Sequence, residues 1–279
     1  MLRSAAVLFV VALAGCVIVP GRQHALVLEA DGTVAQRQMI CGDRADGAAV
    51  AAGALDPRAV RIASWNLHKQ SDPGWEAELG RLAAASDVLL LQEAGVAPEL
   101  RDTIERGSLS WVLASAFEYL GAEYGVLTAA RVRPAGACTL RAYEPLLGIP
   151  KAALITRFRL EGRDRTLAIA NLHAINFTPG TGEYRAQLDA IAQALATHRG
   201  PLVFAGDFNT WNDARDQAIR EVMSQLSLVP VAFAADERQR FFGRIFDWIY
   251  ARDVEVVQAS SWAVTSSDHN PLTVTLRIP

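Results

Sequence analysis

The segment PLVFAGDFNTW, residues 201–211, passes from an apolar run directly into Asp207 and Asn209. The run has the length and apolar content of a buried strand, so an acid and an amide stand where a strand is predicted to end. Taken singly, each of these two residues is equally well explained by a turn or a helix cap. The pattern becomes informative because it recurs along the chain.

Five further segments place a reactive side chain at or near the end of an apolar run. They are SWNLHK with Asn66 and His68, LLLQEA with Glu93, NLHAINF with His173, FDWIYA with Asp247, and SSDHNP with Asp268 and His269. Asp247 is flanked by Phe246 and Trp248, where burial of a carboxylate is costly without a cation or hydrogen bonds. The six segments predict one edge of a sheet assembly that carries oxygen ligands and imidazoles.

The composition narrows the class of protein. A chain of 279 residues, 51% hydrophobic and 20% charged, suits one large domain, and no repeat of fixed period is visible. A formal net charge of -3 argues against a protein that holds nucleic acid by bulk electrostatics. It is compatible with an enzyme that reaches a phosphate ester through a bound cation.

The first residues have the features of an export signal. Arg3 is followed by an apolar stretch, residues 5–13, that is too short to span a bilayer. The sequence LAGC, residues 13–16, resembles the lipobox of bacterial lipoproteins, which predicts removal of residues 1–15 and a lipid on Cys16. An ordinary signal peptide with an incidental cysteine is the alternative. Val17 after the cysteine resembles the pattern that leaves a lipoprotein free to reach the outer membrane, so we expect an envelope protein facing the periplasm.

Residues 16–57 precede the predicted catalytic domain, which we place at residues 58–279. They are rich in Gly, Ala and Asp, and they predict a tether and a peripheral lead-in, with a two-residue hairpin turn at Asp31-Gly32. Cys41 and Cys138 remain in what would be an oxidising compartment. A disulfide and two buried thiols are both compatible with the sequence.

From residue 58 onward, strand-like and helix-like segments alternate. Helical patterns cover residues 76–85, 183–198 and 213–226. The strand-like runs are VRIASWNL, SDVLLLQEA, AALITRF, TLAIANLH, PLVFAGDF, RIFDWIYA, VEVVQASSWAV and PLTVTLRI. These patterns predict an α/β domain in which helices cover sheets, and they leave the strand connectivity open.

The predicted edge suits Mg²⁺ or Mn²⁺ as a cofactor. Its donors are hard oxygens, and the sequence has no cysteine cluster or paired-histidine helix spacing typical of zinc. Such a cation can stabilise the charge that develops in phosphoryl transfer. One carboxylate remains to activate water, and two histidines remain to contact the phosphate or assist the leaving group.

In this order the motifs SWN, QE, NLH, GDFN, DWIY and SDH resemble the endonuclease/exonuclease/phosphatase superfamily, which is DNase I-like. That superfamily includes apurinic endonucleases, neutral sphingomyelinases and inositol polyphosphate 5-phosphatases. NLHAINF and the FGR before Asp247 resemble a little-characterised bacterial branch. The resemblance implies a four-layer α/β sandwich, in which two mostly antiparallel β-sheets pack face to face with helices outside.

The resemblance also implies a metal site. Glu93 would be the direct ligand, with Asn66 and Asp268 near the metal. His68 departs from the pattern of some DNA-repair relatives, which carry an acid there. Because imidazole is a poor ligand for Mg²⁺, a single cation is expected.

The remaining motif residues would carry the reaction. Asp207 would orient or deprotonate water, Asn209 would hold water or phosphate, and His173 would contact the phosphate. Asp247 would belong to the phosphate pocket, and Asp268 with His269 would form a closing dyad, in which Asp268 reaches the metal or a second imidazole such as His173.

Three functions remain in competition. The first is hydrolysis of phosphodiesters in nucleic acid or phospholipid, the second is hydrolysis of phosphomonoesters, and the third is a non-enzymatic envelope lipoprotein. The complete set of reactive side chains disfavours the third, and substrate choice between the others depends on loops around the site. Aromatic residues in those loops are candidates to stack on bases or touch lipid, with buried packing as the alternative role: Trp75, Phe177, Trp211 and Trp262. We expect a monomer.

Overall fold

The structure is a computed structural model that describes residues 17–21, 23–42 and 53–279. The predicted signal peptide and Cys16 lie outside the described residues. Within the described ranges, no helix has the length and apolar character needed to cross a membrane.

Strands dominate the described residues, and four α-helices are inserted between them. The helices are α1 (Trp75–Ala85), α2 (Pro98–Arg106), α3 (Gly182–Leu195) and α4 (Asp213–Gln225). The strands are β1 (Val17–Ile18), β2 (His24–Leu28), β3 (Val34–Gln38), β4 (Val60–Asn66), β5 (Val88–Gly95), β6 (Ser110–Tyr119), β7 (Ala122–Ala130), β8 (Gly136–Tyr143), β9 (Pro150–Arg159), β10 (Thr166–His173), β11 (Leu202–Asp207), β12 (Val229–Pro230), β13 (Arg240–Phe241), β14 (Arg244–Ile245), β15 (Asp247–Arg252), β16 (Glu255–Ser261) and β17 (Leu272–Arg277).

Two large sheets organise the described strands. One has nine strands in the order β16-β17-β4-β5-β7-β6-β2-β3, with β1 added beside β6, and the other has six in the order β12-β15-β11-β10-β9-β8. The pairs β4–β5 and β10–β11 are parallel, and the other pairs within these sheets are antiparallel. Strands β13 and β14 form a separate hairpin.

The two sheets pack face to face. Their inner faces share one core, in which Ile62 and Leu90 of the larger sheet meet Ile169 and Val203 of the smaller. Helices α1 and α2 cover the outer face of the larger sheet, and α3 and α4 cover that of the smaller, because each helix buries one apolar stripe. The expected four-layer α/β sandwich is confirmed.

The N-terminal hairpin differs from the predicted two-residue turn. Strands β2 and β3 are joined by five residues, 29–33, because the Asp31 carboxylate accepts hydrogen bonds from the backbone and hydroxyl of Thr33 and holds a wider turn. The hairpin pairs with β6 and so extends the nine-stranded sheet. Cys41 and Cys138, left open by the sequence, form a disulfide.

Candidate active site

The reactive side chains meet where strands of both sheets end. His173 and Asp207 are register partners at the ends of the parallel strands β10 and β11, and Asp207 also pairs with Asp247 at the start of β15. Asn66 ends β4 in the facing sheet. A cavity of about 350 Å³ lies at this edge, and the predicted residues that line it are Asn66, His68, Glu93, His173, Asp207, Asn209, Asp268 and His269.

Asp207 is the most enclosed acid of the site. Its carboxylate accepts hydrogen bonds from the Asn66 amide (3.1 Å) and from the backbone N–H of Asn209 (2.9 Å). The preceding Gly206 has φ of 135°, and a side chain there would meet the Leu172 carbonyl at 2.0 Å, so the turn requires glycine. Burial, together with the nearby Asp247 charge, raises the pKa of Asp207 to about 7 even though the His269 charge opposes the shift.

His269 is held by Asp247. Its Nδ1 lies 2.6 Å from Asp247 Oδ2, and its Nε2 lies 4.0 Å from Asp207 Oδ2. Burial acts to lower the pKa of His269, but the charge and hydrogen bond of Asp247 outweigh it and raise the pKa to about 10. His269 is therefore an imidazolium at neutral pH, with Nδ1–H donated to Asp247 and Nε2–H directed to the Asp207 side.

Asp268 makes no direct hydrogen bond to its neighbour His269. Its carboxylate is 46% exposed and lies 3.9 Å from His269 Nε2, so it is not the hydrogen-bond partner of His269. The imidazole beside it is His68, at 3.8 Å, and no contact with His173 is formed. Ser267 holds the turn on which both residues lie, because its hydroxyl donates to the Asn66 carbonyl and accepts from the His269 N–H.

Glu93 stands at a bulge of β5, where its φ of 50° directs the carboxylate into the cavity. Lys69 Nζ lies 2.5 Å from Glu93 Oε2, and Lys151 Nζ lies 3.7 Å from Oε1. Burial acts to raise the pKa of Glu93, but it is lowered to about 2 by the charge of His173, which counts only when that imidazole is protonated, and by the charges of Lys151 and Lys69. Glu93 is thus ionised throughout the physiological range.

His173 lies within 4 Å of both Glu93 and Asp207. Its Nε2 lies 3.0 Å from Lys151 Nζ and 3.6 Å from both Glu93 and Asp207. Burial and the Lys151 charge hold the pKa of His173 well below its ordinary value. The side chain is therefore a neutral imidazole that can accept or donate one hydrogen bond, and the two lysines supply the charge that keeps Glu93 anionic.

The donor chemistry fits a divalent cation at Glu93. An ionised carboxylate is a preferred ligand for Mg²⁺, and oxygens of Asn66 and Asp268 line the same cavity. Across the described part of the chain, no three His, Cys, Asp or Glu side chains are grouped closely enough to hold a metal unaided. Glu93 would therefore hold the cation, with Asn66 and Asp268 as neighbouring oxygens.

Three residues of the site carried no sequence signal. Lys69 and Lys151 lie in ordinary polar positions at a turn and a strand start, and only the fold brings them to Glu93. Arg215 of α4 is buried and donates to the carbonyls of Ile175, Asn176 and Asn209. An arginine inside a helical pattern predicts an exposed side chain, so its role as a clamp on two loops is visible only in the structure.

Comparison with known proteins gives the same fold and a family. The chain is 38% identical over 229 residues to a UPF0294 protein of Vibrio parahaemolyticus, covering 81% of each chain, and 39% identical over 218 residues to a UPF0294 protein of Yersinia pestis, covering 77% of this chain and 82% of the relative. Among solved structures, the human Nocturnin catalytic domain has a TM-score of 0.61 at 17% identity, covering 80% of this chain and 96% of that one. A Bacteroides thetaiotaomicron mannosyl-6-phosphatase has a TM-score of 0.60 at 17% identity, covering 78% and 99%.

These two structures are similar in fold, and their identities are too low to carry a substrate across. The family model described as Endonuclease/Exonuclease/phosphatase family matches residues 63–269, which contain every motif of the site. The chain therefore belongs to the endonuclease/exonuclease/phosphatase family, alongside the UPF0294 proteins of bacteria.

Proposed function

We propose that this chain hydrolyses phosphodiesters with the help of Mg²⁺ or Mn²⁺. Its family consists of metal-dependent phosphoesterases, nucleases and phosphatases among them. The observation that carries the proposal is the pairing of Asp207, whose pKa is about 7, with the imidazolium of His269 in one enclosed cavity. An acid that ionises near neutral pH beside a fixed cation suits activation of water next to a phosphate.

The metal would be held by Glu93, with Asp268 and Asn66 as neighbouring oxygens. When bound, it would supply positive charge to the phosphate and to the leaving oxygen. Asp207 is the base that removes a proton from the attacking water, and the hydrogen bonds from Asn66 and Asn209 fix its orientation. His269 and Lys151 provide donors for the phosphate oxygens, and neutral His173 lies between them and Glu93.

A phosphomonoesterase is the second candidate. Lys69 and Lys151 both line the cavity, and two ammonium groups suit the dianion of a terminal phosphate better than the monoanion of a diester. The arrangement of Asp207 and His269 serves either reaction, so the distinction is a matter of relative rates.

The function is tested with the full chain and a panel of substrates. Bis-p-nitrophenyl phosphate, p-nitrophenyl phosphate, plasmid DNA, single-stranded RNA and phospholipid vesicles are compared in Mg²⁺, Mn²⁺, Zn²⁺ and EDTA, with Asp207→Asn as the inactive reference. We expect diester hydrolysis that is lost in EDTA, is restored by Mg²⁺ or Mn²⁺, and is restored little by Zn²⁺. Turnover that persists in EDTA would contradict the metal dependence. Hydrolysis of the monoester that is faster than that of the diester would favour the phosphomonoesterase over the phosphodiesterase.

A further inference from the structure

Large apolar side chains surround the mouth of the cavity. The apolar rim consists of Leu146 and Leu147 in the loop between β8 and β9, Phe177 in the loop after β10, and Phe242 at the tip of the β13–β14 hairpin. Their exposed fractions are 65%, 45%, 51% and 91%. Leu147 and Phe177 line the cavity, and the Phe242 ring lies 5.9 Å from that of Trp211, which also lines it. Exposed apolar side chains from three separate loops at one site mark an interaction surface.

The floor and the rim of the cavity differ in chemistry. The floor presents Glu93, Asp207 and His269, while the walls above it are apolar, with Phe241 and Phe246 beside His269 and Trp211. A ligand that matches both parts has a charged phosphate at one end and an apolar body next to it. This is the arrangement of an amphiphile.

The start of the described chain lies at the same end of the molecule. Val17 and Ile18 pair with Tyr119 and Glu118 at the end of β6, and Phe117 of the same strand lines the cavity. Ile18 and the neighbouring Leu120 are 58% and 77% exposed. Residue 17 directly follows Cys16, so a lipid on Cys16 would hold the cavity mouth toward the membrane.

Charge favours a lipid surface over a nucleic acid strand at this rim. Binding of a strand relies on free cations along a groove and on aromatic rings that stack on bases. Most described cations near the mouth are paired with acids, namely Lys69 with Glu93, Arg240 with Asp236, and Arg244 with Asp213 and Asp216, and Lys151 lies deeper, beside His173. Of the six exposed apolar side chains here, Phe177 and Phe242 carry rings, whereas Leu146, Leu147, Ile18 and Leu120 offer no stacking surface, so most of this surface is aliphatic.

We propose that the apolar rim, with Ile18 and Leu120, contacts a lipid bilayer, and that the substrate is a phosphate ester of a membrane lipid. The second clause rests on the proposed function. Side chains of this kind enter the boundary between headgroups and acyl chains, which brings a headgroup phosphate to the cavity floor. Water then replaces the lipid alcohol at phosphorus: the oxygen of water joins phosphorus, the bond to the lipid oxygen breaks, and the proton passes to that oxygen.

The first test measures how deeply the rim enters the bilayer, and it does not require that the protein hydrolyse any substrate. The full chain with Cys16→Ser and Phe242→Cys is labelled with an environment-sensitive fluorophore, since Cys41 and Cys138 are paired and Cys16 would otherwise react, and it is mixed with vesicles of phosphatidylethanolamine and phosphatidylglycerol. Val257→Cys is the matched control, because Val257 is 49% exposed on β16 at the opposite edge of the sheet. We expect nitroxide lipids to quench the probe at 242 and not the probe at 257. Equal exposure of both probes to water would overturn the proposal.

The second test separates the surface from the chemistry. Leu146→Ser with Phe242→Ser should lower hydrolysis of vesicle phospholipid by about tenfold or more, because two apolar contacts with the bilayer are lost. Hydrolysis of bis-p-nitrophenyl phosphate should change by less than about twofold, since neither side chain contacts the cavity floor. Val257→Ser should change neither rate.

The outcomes distinguish the two proposals. A chain that hydrolyses no ester, with the 242 probe in lipid, contradicts the proposed function and retains the membrane contact. A chain that hydrolyses the soluble diester but not vesicle lipid, with the probe in water, retains the function and overturns the membrane surface. If the double substitution instead weakens cleavage of single-stranded DNA, the rim contacts bases and the lipid assignment is wrong.

Discussion

At the scale of single residues, the site is a set of groups whose proton affinities are pushed apart by their neighbours. Asp207 and His269 lie 4.0 Å apart, yet burial moves one toward the neutral acid and Asp247 moves the other toward the cation. Both pKa values are raised, so at neutral pH an acid that is close to its own pKa lies beside a fixed cation, which suits a base and a charge-stabilising donor in one reaction.

The first prediction is that His269→Ala lowers kcat by roughly a hundredfold or more, a usual scale for a lost positioned donor. Asp207→Asn should be as damaging, because water loses its base. His198→Ala is the control, since His198 contacts Pro201 at the opposite end of β11. Circular dichroism checks the fold, and a His269→Ala enzyme with near-normal turnover would make the SSDHNP segment an ordinary polar turn.

The second prediction concerns pH. The active form needs Asp207 ionised and His269 protonated, so kcat should rise as pH increases through about 7 and fall as pH increases through about 10. Asp247→Asn removes the charge that raises both pKa values, so both limbs should move to lower pH. The pH–rate profiles of the unsubstituted protein and of Asp247→Asn measure these shifts. Limbs at the same pH in both proteins would show that Asp247 does not set either pKa.

The sequence identified the members of this cluster but not their partners. Asp247 was expected in the phosphate pocket, and no acid was assigned to His269, because Asp247 reaches His269 only through the register of β15 beside β11. Adjacent residues on extended chain point apart, so chain proximity is a poor guide to contact. Lys151 was missed for the same reason, because its contact with His173 arises from strand pairing between β9 and β10.

At the scale of elements, the site depends on two loops that are held together from behind. The loop after β10 and the loop after β11 are joined by Arg215 of α4, whose guanidinium donates to Ile175, Asn176 and Asn209 at 2.8–2.9 Å. Tyr184 of α3 supports this clamp, since its ring stacks 4.4 Å from the guanidinium and its hydroxyl donates to Phe208. The helices therefore position His173 and Asn209 without touching the cavity.

The third prediction is that Arg215→Met lowers the free energy of unfolding by about 2–4 kcal/mol, because three buried carbonyls lose their donor. Arg220→Met on the exposed face of the same helix should change it by less than about 0.5 kcal/mol. Urea unfolding measures both. Equal losses of unfolding free energy in the two variants would show that the contacts of Arg215 with the three carbonyls add no stability.

The elements that were predicted best are those in which apolar residues recur with an uninterrupted helical period. The three expected helices appear within a few residues of their predicted bounds, as α1, α3 and α4. Helix α2 was not predicted, since its nine residues form little more than two turns and bury only Leu100, Thr103 and Ile104. Strands β6 to β8 end in no reactive side chain, so they gave no functional signal.

At the scale of the whole molecule, the apolar rim and the start of the described chain lie at the end that holds the cavity. The fourth prediction concerns the anchor that this arrangement would use. The full chain should fractionate with membranes, and Cys16→Ser should retain residues 1–15, because a lipoprotein peptidase requires the modified cysteine. Immunoblots of membrane and soluble fractions, with mass spectrometry of the mature N-terminus, measure this. A soluble periplasmic product would refute the anchor and leave the enzyme proposal standing.

The disulfide between Cys41 and Cys138 has a mechanical consequence for a protein held by its N-terminus. A pull on residue 17 acts first on β1, β2 and β3, which are joined to the rest by backbone hydrogen bonds that can open one after another. The disulfide directly follows these strands and fastens the chain to β8 in the other sheet. If Cys16 carries the proposed anchor, peeling would stop at Cys41, so a pull through the anchor would open only the N-terminal hairpin, and the strands that carry the reactive residues would stay unloaded.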